Sequence, residues 1–173
     1  MMTHCSSALK GWTGKANVNV VYDSTVDEFT HDGLFNRVRG KPNIALVAFT
    51  SDGDVFGGLY SVAVTEQKKF HDPNQFVFSF ESHGRCRTPQ RFVVKEELNK
   101  KVNVYFVKNS VNGFVWFGVG NAGGFYLGNE SSNSYCYELS CAFDGLQDTT
   151  LTGTNWQRAN FGPYHHCTRL VAV

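Results

Sequence analysis

Short apolar runs separated by polar, glycine-containing turns recur along most of this chain. Ile44 to Thr50 is an almost continuous apolar run, which suits a strand that is covered on both faces. A second run, Val55 to Tyr60, follows the turn Ser51-Asp52-Gly53-Asp54, and Asp-Gly between two apolar runs is a strong hairpin signal. The pattern therefore predicts a pair of antiparallel strands here.

A second hairpin is predicted further along the chain. Apolar and other side chains alternate from Val102 to Phe106, and Asn112-Gly113 then precedes the apolar run from Phe114 to Phe117. Other strand candidates are residues 17–22, 76–80, 92–94, 125–128, 135–139 and 168–173. The pattern therefore predicts one domain of roughly eight to ten strands.

One helix is predicted, over residues 30–39. Leu34, Phe35 and Val38 lie on one helical face, Gly40 suits the position after the last turn, and Pro42 follows. Residues 1–17 are mostly small, polar and basic around Trp12 and are expected to be a lead-in to the domain. The predicted fold class is mainly β (α+β) with few helices.

The composition agrees with this class and excludes some functions. Fifteen phenylalanines and seventeen glycines against four prolines favour short strands and tight turns. The formal net charge of +1 provides no overall field that would attract nucleic acid or a membrane surface. The chain has neither a membrane-spanning apolar run nor the apolar core of a secretory signal. We therefore expect a soluble, intracellular, cytoplasmic protein without membrane insertion.

The five cysteines argue against a disulfide framework. Cys5, Cys86, Cys136, Cys141 and Cys167 are odd in number and lack the Cys-x-x-Cys spacing of common zinc sites. Reduced thiols are therefore expected.

A cysteine- or metal-dependent enzyme is the least favoured function. Cys86, Cys136 or Cys141 would need a nearby histidine and an acid, and no signature places such groups together. His165-His166-Cys167 could bind a metal with Cys141 or His83, but adjacent histidines on a strand point to opposite faces. We expect these histidines at a surface or edge position.

Cys86 is also a candidate redox sensor. Arg85 and Arg87 flank it, and nearby positive charge lowers the pKa of a thiol. In an extended segment, however, the two arginine side chains point away from the face of the cysteine. The redox interpretation is accordingly disfavoured.

The segment Gly118-Val119-Gly120-Asn121-Ala122-Gly123 matches the dinucleotide-binding pattern Gly-x-Gly-x-x-Gly by letter. That pattern binds pyrophosphate only where a helix begins at its last glycine. The residues that follow Gly123 are unsuited to a helix, so we expect no nucleotide cofactor to bind this segment.

Basic residues in or near predicted loops offer a nucleic-acid-binding alternative. They are Lys68, Lys69, Arg85, Arg87 and Arg91. Acidic residues interleave with them, and a balanced charge weakens the release of counterions that drives such binding. A solvated rim is the favoured interpretation of this set.

Two motifs with a fitting separation carry a family resemblance. They are Phe56-Gly57-Gly58-Leu59-Tyr60-Ser61 and Asp72-Pro73-Asn74-Gln75-Phe76-Val77-Phe78-Ser79-Phe80. A third, looser match is Phe117-Gly118-Val119-Gly120. Residues 18–173 thus resemble a TLDc domain, the module of the oxidation-resistance and nuclear-receptor-coactivator-like proteins. The resemblance implies a two-sheet antiparallel β-sandwich with a few short flanking helices.

The resemblance also implies a function. TLDc domains have no established active site, and they are linked to resistance against oxidative stress and to binding of the vacuolar proton-pumping ATPase. It therefore implies a non-catalytic protein-interaction domain that binds and regulates this pump, with no catalytic, metal or cofactor residue to assign. The motif residues are expected to be structural, the Gly57-Gly58 pair as a family feature and Asp72-Pro73-Asn74 as a turn that sets the register of the next strand.

Overall fold

Eleven strands form two antiparallel sheets in the part of the chain that the computed structural model describes, residues 2–107, 112–120, 122–129 and 131–173. The strands are β1 (Tyr22–Asp23), β2 (Ile44–Thr50), β3 (Val55–Tyr60), β4 (Lys69–His71), β5 (Phe76–Glu81), β6 (Gln90–Val93), β7 (Val102–Phe106), β8 (Gly113–Val119), β9 (Gly123–Gly128), β10 (Tyr135–Tyr137) and β11 (Cys167–Ala172). The helices are α1 (Met2–Thr13), α2 (His31–Val38) and α3 (Leu139–Ala142). The predicted mainly β class is confirmed.

The two sheets enclose an aromatic core. The six-stranded sheet has the order β1-β11-β2-β3-β5-β6, and the five-stranded sheet has the order β10-β9-β8-β7-β4. Phe56 of the first sheet meets Phe125 of the second with ring centroids 5.2 Å apart, and Tyr60 meets Phe106 at 5.9 Å. All four side chains are fully buried, so the main hydrophobic core lies between the sheets.

The predicted hairpins and helix are present. β2 pairs with β3 across the Asp52-Gly53 turn, and β7 pairs with β8. Residues 108–111 of the second connection lie outside the described residues. In α2 the hydroxyl of Thr30 accepts a hydrogen bond from the Gly33 N–H at 3.1 Å, which caps the helix, and the predicted apolar face is buried.

Helix α1 was not predicted from the sequence. Cys5, Leu9 and Trp12 follow one another at intervals of four and three residues and lie on one helical face. Leu9 packs on the outer face of the six-stranded sheet, and Trp12 joins the same apolar cluster. Two serines and Gly11 interrupt the helix period, which hides the signal in the sequence.

Two predicted strands are shorter in the structure, and one observed strand was not predicted. The strand expected at 17–22 is reduced to β1, because only Tyr22 and Asp23 pair with β11. The strand expected to reach Leu139 ends at Tyr137, since Glu138 adopts a left-handed conformation (φ 41°) that turns the chain into α3. β4 was missed because it is a three-residue edge strand with exposed ends. None of the described helices has the length and apolar character to span a membrane.

Candidate interaction surface

The Gly57-Gly58 pair lies in the middle of β3, and its two residues face opposite sides of the sheet. Gly58 faces the core, where an added Cβ would lie 2.6 Å from the Phe117 ring of the opposite sheet. Gly57 faces the other side, where a Cβ would overlap the carbonyl oxygen of Leu46 on the neighbouring strand. Any side chain at either position would therefore force strands or sheets apart.

Asp72, the first residue of the second family motif, is hydrogen-bonded to Ser61, the last residue of the first motif. Its buried carboxylate accepts hydrogen bonds from the Ser61 N–H at 2.6 Å, the Ser61 hydroxyl at 2.7 Å and the Asn74 N–H at 3.1 Å. Ser61 follows β3 directly and Asn74 precedes β5, so Asp72 fixes the connection between two paired strands. Pro73 is exposed at the same turn.

The remaining motif residues also lie within the scaffold. Phe76 and Phe78 face the outer side of the six-stranded sheet, and the buried hydroxyl of Ser79 has no partner among the described residues. Phe117 is in the core, Gly118 is in β8, and Gly120 (φ 40°) is in the tight turn from β8 to β9. This turn is part of a hairpin without a helix, as expected, although Asn121 lies outside the described residues.

The outer face of the five-stranded sheet carries a row of aromatic side chains. Tyr105 pairs with Trp116, Trp116 with Tyr126, and Tyr126 with Tyr135, so that one residue from each of four neighbouring strands lies in line. We call Tyr105, Trp116, Tyr126 and Tyr135 the aromatic row. Each is only half-buried, whereas the residues beside it in its strand are buried in the core.

Within the aromatic row, the ring of Trp116 reaches over two glycines. Added Cβ atoms at Gly124 and Gly118 would lie 2.7 Å and 3.0 Å from its Cζ2 atom, so its ring covers these two glycines. Only glycines permit this arrangement, because any side chain there would lift the indole. The indole is thereby held against the backbone of β8 and β9, and it remains only half-buried.

Other aromatic residues extend the surface at the β10 end. The rings of Tyr126 and Tyr135 stack with centroids 5.4 Å apart, and Trp156 and Tyr164 from the last loop lie 5.5 Å and 6.4 Å from Tyr135. Burial raises the pKa of Tyr126 and Tyr135, so both hydroxyls stay protonated at neutral pH.

The surface carries little charge. A second row next to the aromatic row is formed by His71, Asn103, Gly118, Gly124 and Tyr137. Across both rows Lys69 at the β4 end is the only lysine, arginine, aspartate or glutamate. Its Nζ lies 5.9 Å from the Tyr105 ring centroid, and it pairs with no carboxylate of the described residues. Depletion of charge together with tyrosine and tryptophan is typical of the centre of a protein interface.

Comparison with known families places this architecture. A family model of the TLDc domain matches residues 1–158 of the 173-residue chain. The chain belongs to the TLDc domain family. The resemblance predicted from the motifs is thus confirmed, and the family is one related to oxidative stress. No curated protein matches the sequence.

The basic residues of this TLDc domain do not form one surface. Lys68 and Lys69 lie at the edge of the five-stranded sheet, whereas Arg91 lies in β6 at the edge of the other sheet. Arg91 donates to the Trp12 carbonyl oxygen at 3.0 Å, and Arg85 pairs with the buried Asp54. Two of the five predicted phosphate ligands, Arg85 and Arg91, thus already have partners within the domain.

Lys68 and Arg87 complete that set. Lys68 pairs with Glu66 at 3.4 Å and lies over the Phe70 ring, and Arg87 is exposed. The arrangement gives the nucleic-acid alternative little support.

Two buried cysteines of the TLDc domain lack the setting of a nucleophile. Burial raises the pKa of the Cys136 and Cys167 thiols to about 12, so neither forms a thiolate near neutral pH. Cys86 is half-buried, and the flanking Arg85 turns towards Asp54. Among the described residues no three histidine, cysteine or acidic side chains are grouped to hold a metal.

The buried position of His165 shows that one sequence prediction was wrong. Both histidines of the His165-His166 pair were expected at a surface or edge, but His165 is 2% exposed and packs on Phe56 with ring centroids 5.4 Å apart. Neither of its ring nitrogens has a hydrogen-bond partner among the described residues. Burial lowers its pKa to about 4. Alternation places only His166 outside, because the strand-like pairing of His165 with Ser134 turns His165 inwards.

Sequence reasoning missed the aromatic row of the TLDc domain. Each member lies at an outward position of a predicted strand, so the alternation within single strands already predicted that these side chains face outwards. The alternation does not give the register between strands, which places these residues in one line. Aligning the outward aromatic residues of consecutive predicted hairpins would have suggested it.

Proposed function

We propose that this TLDc domain is a non-catalytic protein-interaction domain in oxidative-stress resistance and that it binds its partner through the aromatic row. The observation that carries the proposal is the half-buried line of tyrosine and tryptophan side chains on a face with a single charged residue. Tyrosine and tryptophan supply most of the binding free energy in many protein interfaces. They contribute large contact areas and lose little side-chain entropy.

The state of the thiols supports a non-catalytic role. The buried Cys136 and Cys167 have raised thiol pKa values, and no described histidine donates to or accepts from a cysteine. The aromatic row also lies on regular strands, which makes it a rigid surface that is ready to bind without reordering.

The first partner to test is the vacuolar proton-pumping ATPase, which the family resemblance implies. Its cytoplasmic subunits would be accessible to a cytoplasmic TLDc domain. Binding through a rigid surface patch would allow the domain to regulate assembly of the pump without chemistry of its own.

The test is site-directed photocrosslinking followed by affinity capture. A photoreactive phenylalanine analogue replaces Tyr126 in the aromatic row, and in a matched protein it replaces Val26, which is 84% exposed and lies away from both sheets' faces in the turn after β1. We expect pump subunits, identified by mass spectrometry, to be crosslinked from position 126 and not from position 26. Equal yields at both positions would contradict the assignment of the surface.

A substitution series then measures the contribution of the row. Trp116→Ala should weaken capture about tenfold or more, whereas Val26→Ser should leave it unchanged. Circular dichroism melting confirms that both variants fold. Undiminished capture by a folded Trp116→Ala variant would refute binding through this row, and capture of no protein at all under several nucleotide conditions would refute the interaction role.

A further inference from the structure

The half-buried indole of Trp116 offers a flat apolar platform. The indole is held down over Gly118 and Gly124, and the nearest described ring beyond β9, that of Tyr135, has its centroid 6.3 Å away. A flat indole next to a tyrosine is suited to the ring of a proline, and aromatic surfaces of this kind hold polyproline II segments.

Hydrogen-bond donors border this platform. The hydroxyls of Tyr135, Tyr137 and Tyr164 donate to no group of the described residues. A polyproline II segment has no internal hydrogen bonds, so its carbonyl oxygens are available to accept from such hydroxyls. The tyrosine hydroxyls can therefore donate hydrogen bonds to the carbonyl oxygens of such a segment.

Lys69 adds a charge at a defined distance. It lies two strands from Trp116, which corresponds to about 10 Å at the usual spacing between strands. A polyproline II segment rises about 3.1 Å per residue, so roughly three residues cover this distance. The lysine has no carboxylate partner among the described residues, and it would attract one from a ligand.

We infer that the aromatic row binds an extended, proline-containing segment of a partner protein that runs across the strands. One proline packs on Trp116, and an aspartate or glutamate about three residues away pairs with Lys69. The remainder of the segment is uncharged, which matches the absence of other charged residues from the two rows. This inference rests on the proposed function and adds the chemistry of the partner segment.

Two other ligand classes fit the surface less well. A single-stranded nucleic acid needs several cations along its phosphates, and the two rows provide only Lys69. A sugar needs several open ring faces for stacking, and two of the four rings in the row, those of Tyr126 and Tyr135, are stacked on each other at an angle of 23°.

The test is selection from a phage-displayed library of random peptides on the whole TLDc domain. We expect the enriched peptides to contain a proline with an acidic residue about three positions away. Synthetic versions should bind Trp116→Ala about tenfold or more weakly, as measured by calorimetry. Enriched peptides without proline, or with equal affinity for a folded Trp116→Ala variant, would overturn the inference.

A charge swap tests the contact with Lys69. Lys69→Glu should weaken the selected peptide by roughly threefold to tenfold, and replacing the acidic residue of the peptide with lysine should restore binding to Lys69→Glu. Lys68→Glu, one residue away and already paired with Glu66, is the matched control and should have little effect. Failure of the compensating change would remove the carboxylate from the proposal.

The two proposals can fail separately. Crosslinking from position 126 to a pump subunit together with selection of peptides that lack proline would leave the proposed function standing and overturn this inference. An oligothymidylate that binds with an affinity dependent on Trp116 would overturn both.

Discussion

The outer faces of the two sheets are both aromatic, but their residues differ in kind. On the six-stranded sheet, Phe76, Phe78 and Phe80 lie under α1, where Trp12 stacks on Phe80 with parallel rings 5.7 Å apart. On the five-stranded sheet the corresponding positions hold the tyrosines and tryptophan of the aromatic row, and no described helix covers them.

The difference follows from what each face contacts. Phenylalanine gains most when it is removed from water, as Phe76 and Phe78 are under α1. Tyrosine keeps a hydroxyl that needs a hydrogen-bond partner, so it suits a face that alternates between water and a protein partner. The comparison indicates that one face stabilises the fold, whereas the other is the uncovered face to which the proposed function assigns binding.

Valine at both Gly57 and Gly58 should have the largest effect of the predicted changes. The added side chains would collide with the Leu46 carbonyl on the covered side and with Phe117 in the core. We expect a loss of about 2 to 6 kcal/mol in the free energy of unfolding, or no folded protein. Gly11→Ala in α1, where nothing lies within 4 Å, is the control and should be neutral or stabilising. A double variant with unchanged melting would show that the pair is not structural.

Removal of one ring from each outer face tests the comparison directly. Phe78→Ala on the covered face should cost about 3 to 5 kcal/mol, since this side chain is fully buried. Tyr126→Ala on the uncovered face should cost clearly less, because the ring is half-exposed, while it reduces partner capture. Urea denaturation measures both costs. Equal losses would mean that both faces serve only the fold.

Weakening the contacts of α1 should expose the covered face of the six-stranded sheet to water. Trp12→Ala removes ring contacts with three phenylalanines and should cost about 2 kcal/mol, less than a fully buried ring because Trp12 is only half-buried. Hydrogen exchange should increase in α1 and β5, and the five-stranded sheet should be unaffected. Faster exchange in β8 and β9 would show that the two faces are not independent.

The interior between the faces should make stability dependent on pH. The pKa of His165 is about 4 when folded against an ordinary value of 6.5, so the unfolded chain binds more protons between these values, and stability falls as the pH falls from 6.5 to 4. Asp54 and His166 act on His165 in opposite directions, and burial outweighs both.

We expect a loss of about 2 kcal/mol between pH 7 and pH 5 from this residue. His165→Phe keeps a ring against Phe56 and should remove this part of the pH dependence, as measured by urea denaturation at both pH values. An unchanged slope would mean that another group is responsible.

The sequence predicted the parts of the fold that depend on local pattern. The hairpin of β2 and β3 and the helix α2 follow from an Asp-Gly turn and from a helical apolar face, both of which are contained in short stretches. β4 and the end of β10 could not be predicted in this way. The first is held by its pairing with β7, and the second ends where the Asn155 side chain accepts from the Glu138 N–H at 2.9 Å.

The candidate surface was harder to predict than the fold. Arg91 looks like a free cation in the sequence, yet it is bonded to the carbonyl oxygen of Trp12, which is distant in the chain. The aromatic row depends on pairings between residues 105, 116, 126 and 135, and no single strand contains that information. Long-range register therefore separates what the pattern predicts from what the structure adds.

The same register has a consequence for how the gene of such a domain can change. Side chains alternate across a strand, so a slip of one residue between β8 and β9 would carry Tyr126 into the core and bring Phe125 or Leu127 to the surface. An insertion in a loop leaves the line of rings intact, whereas the insertion of a single codon within one strand would break it. Loops of the five-stranded sheet can thus vary in length, but its strands must keep their phase for the surface to survive.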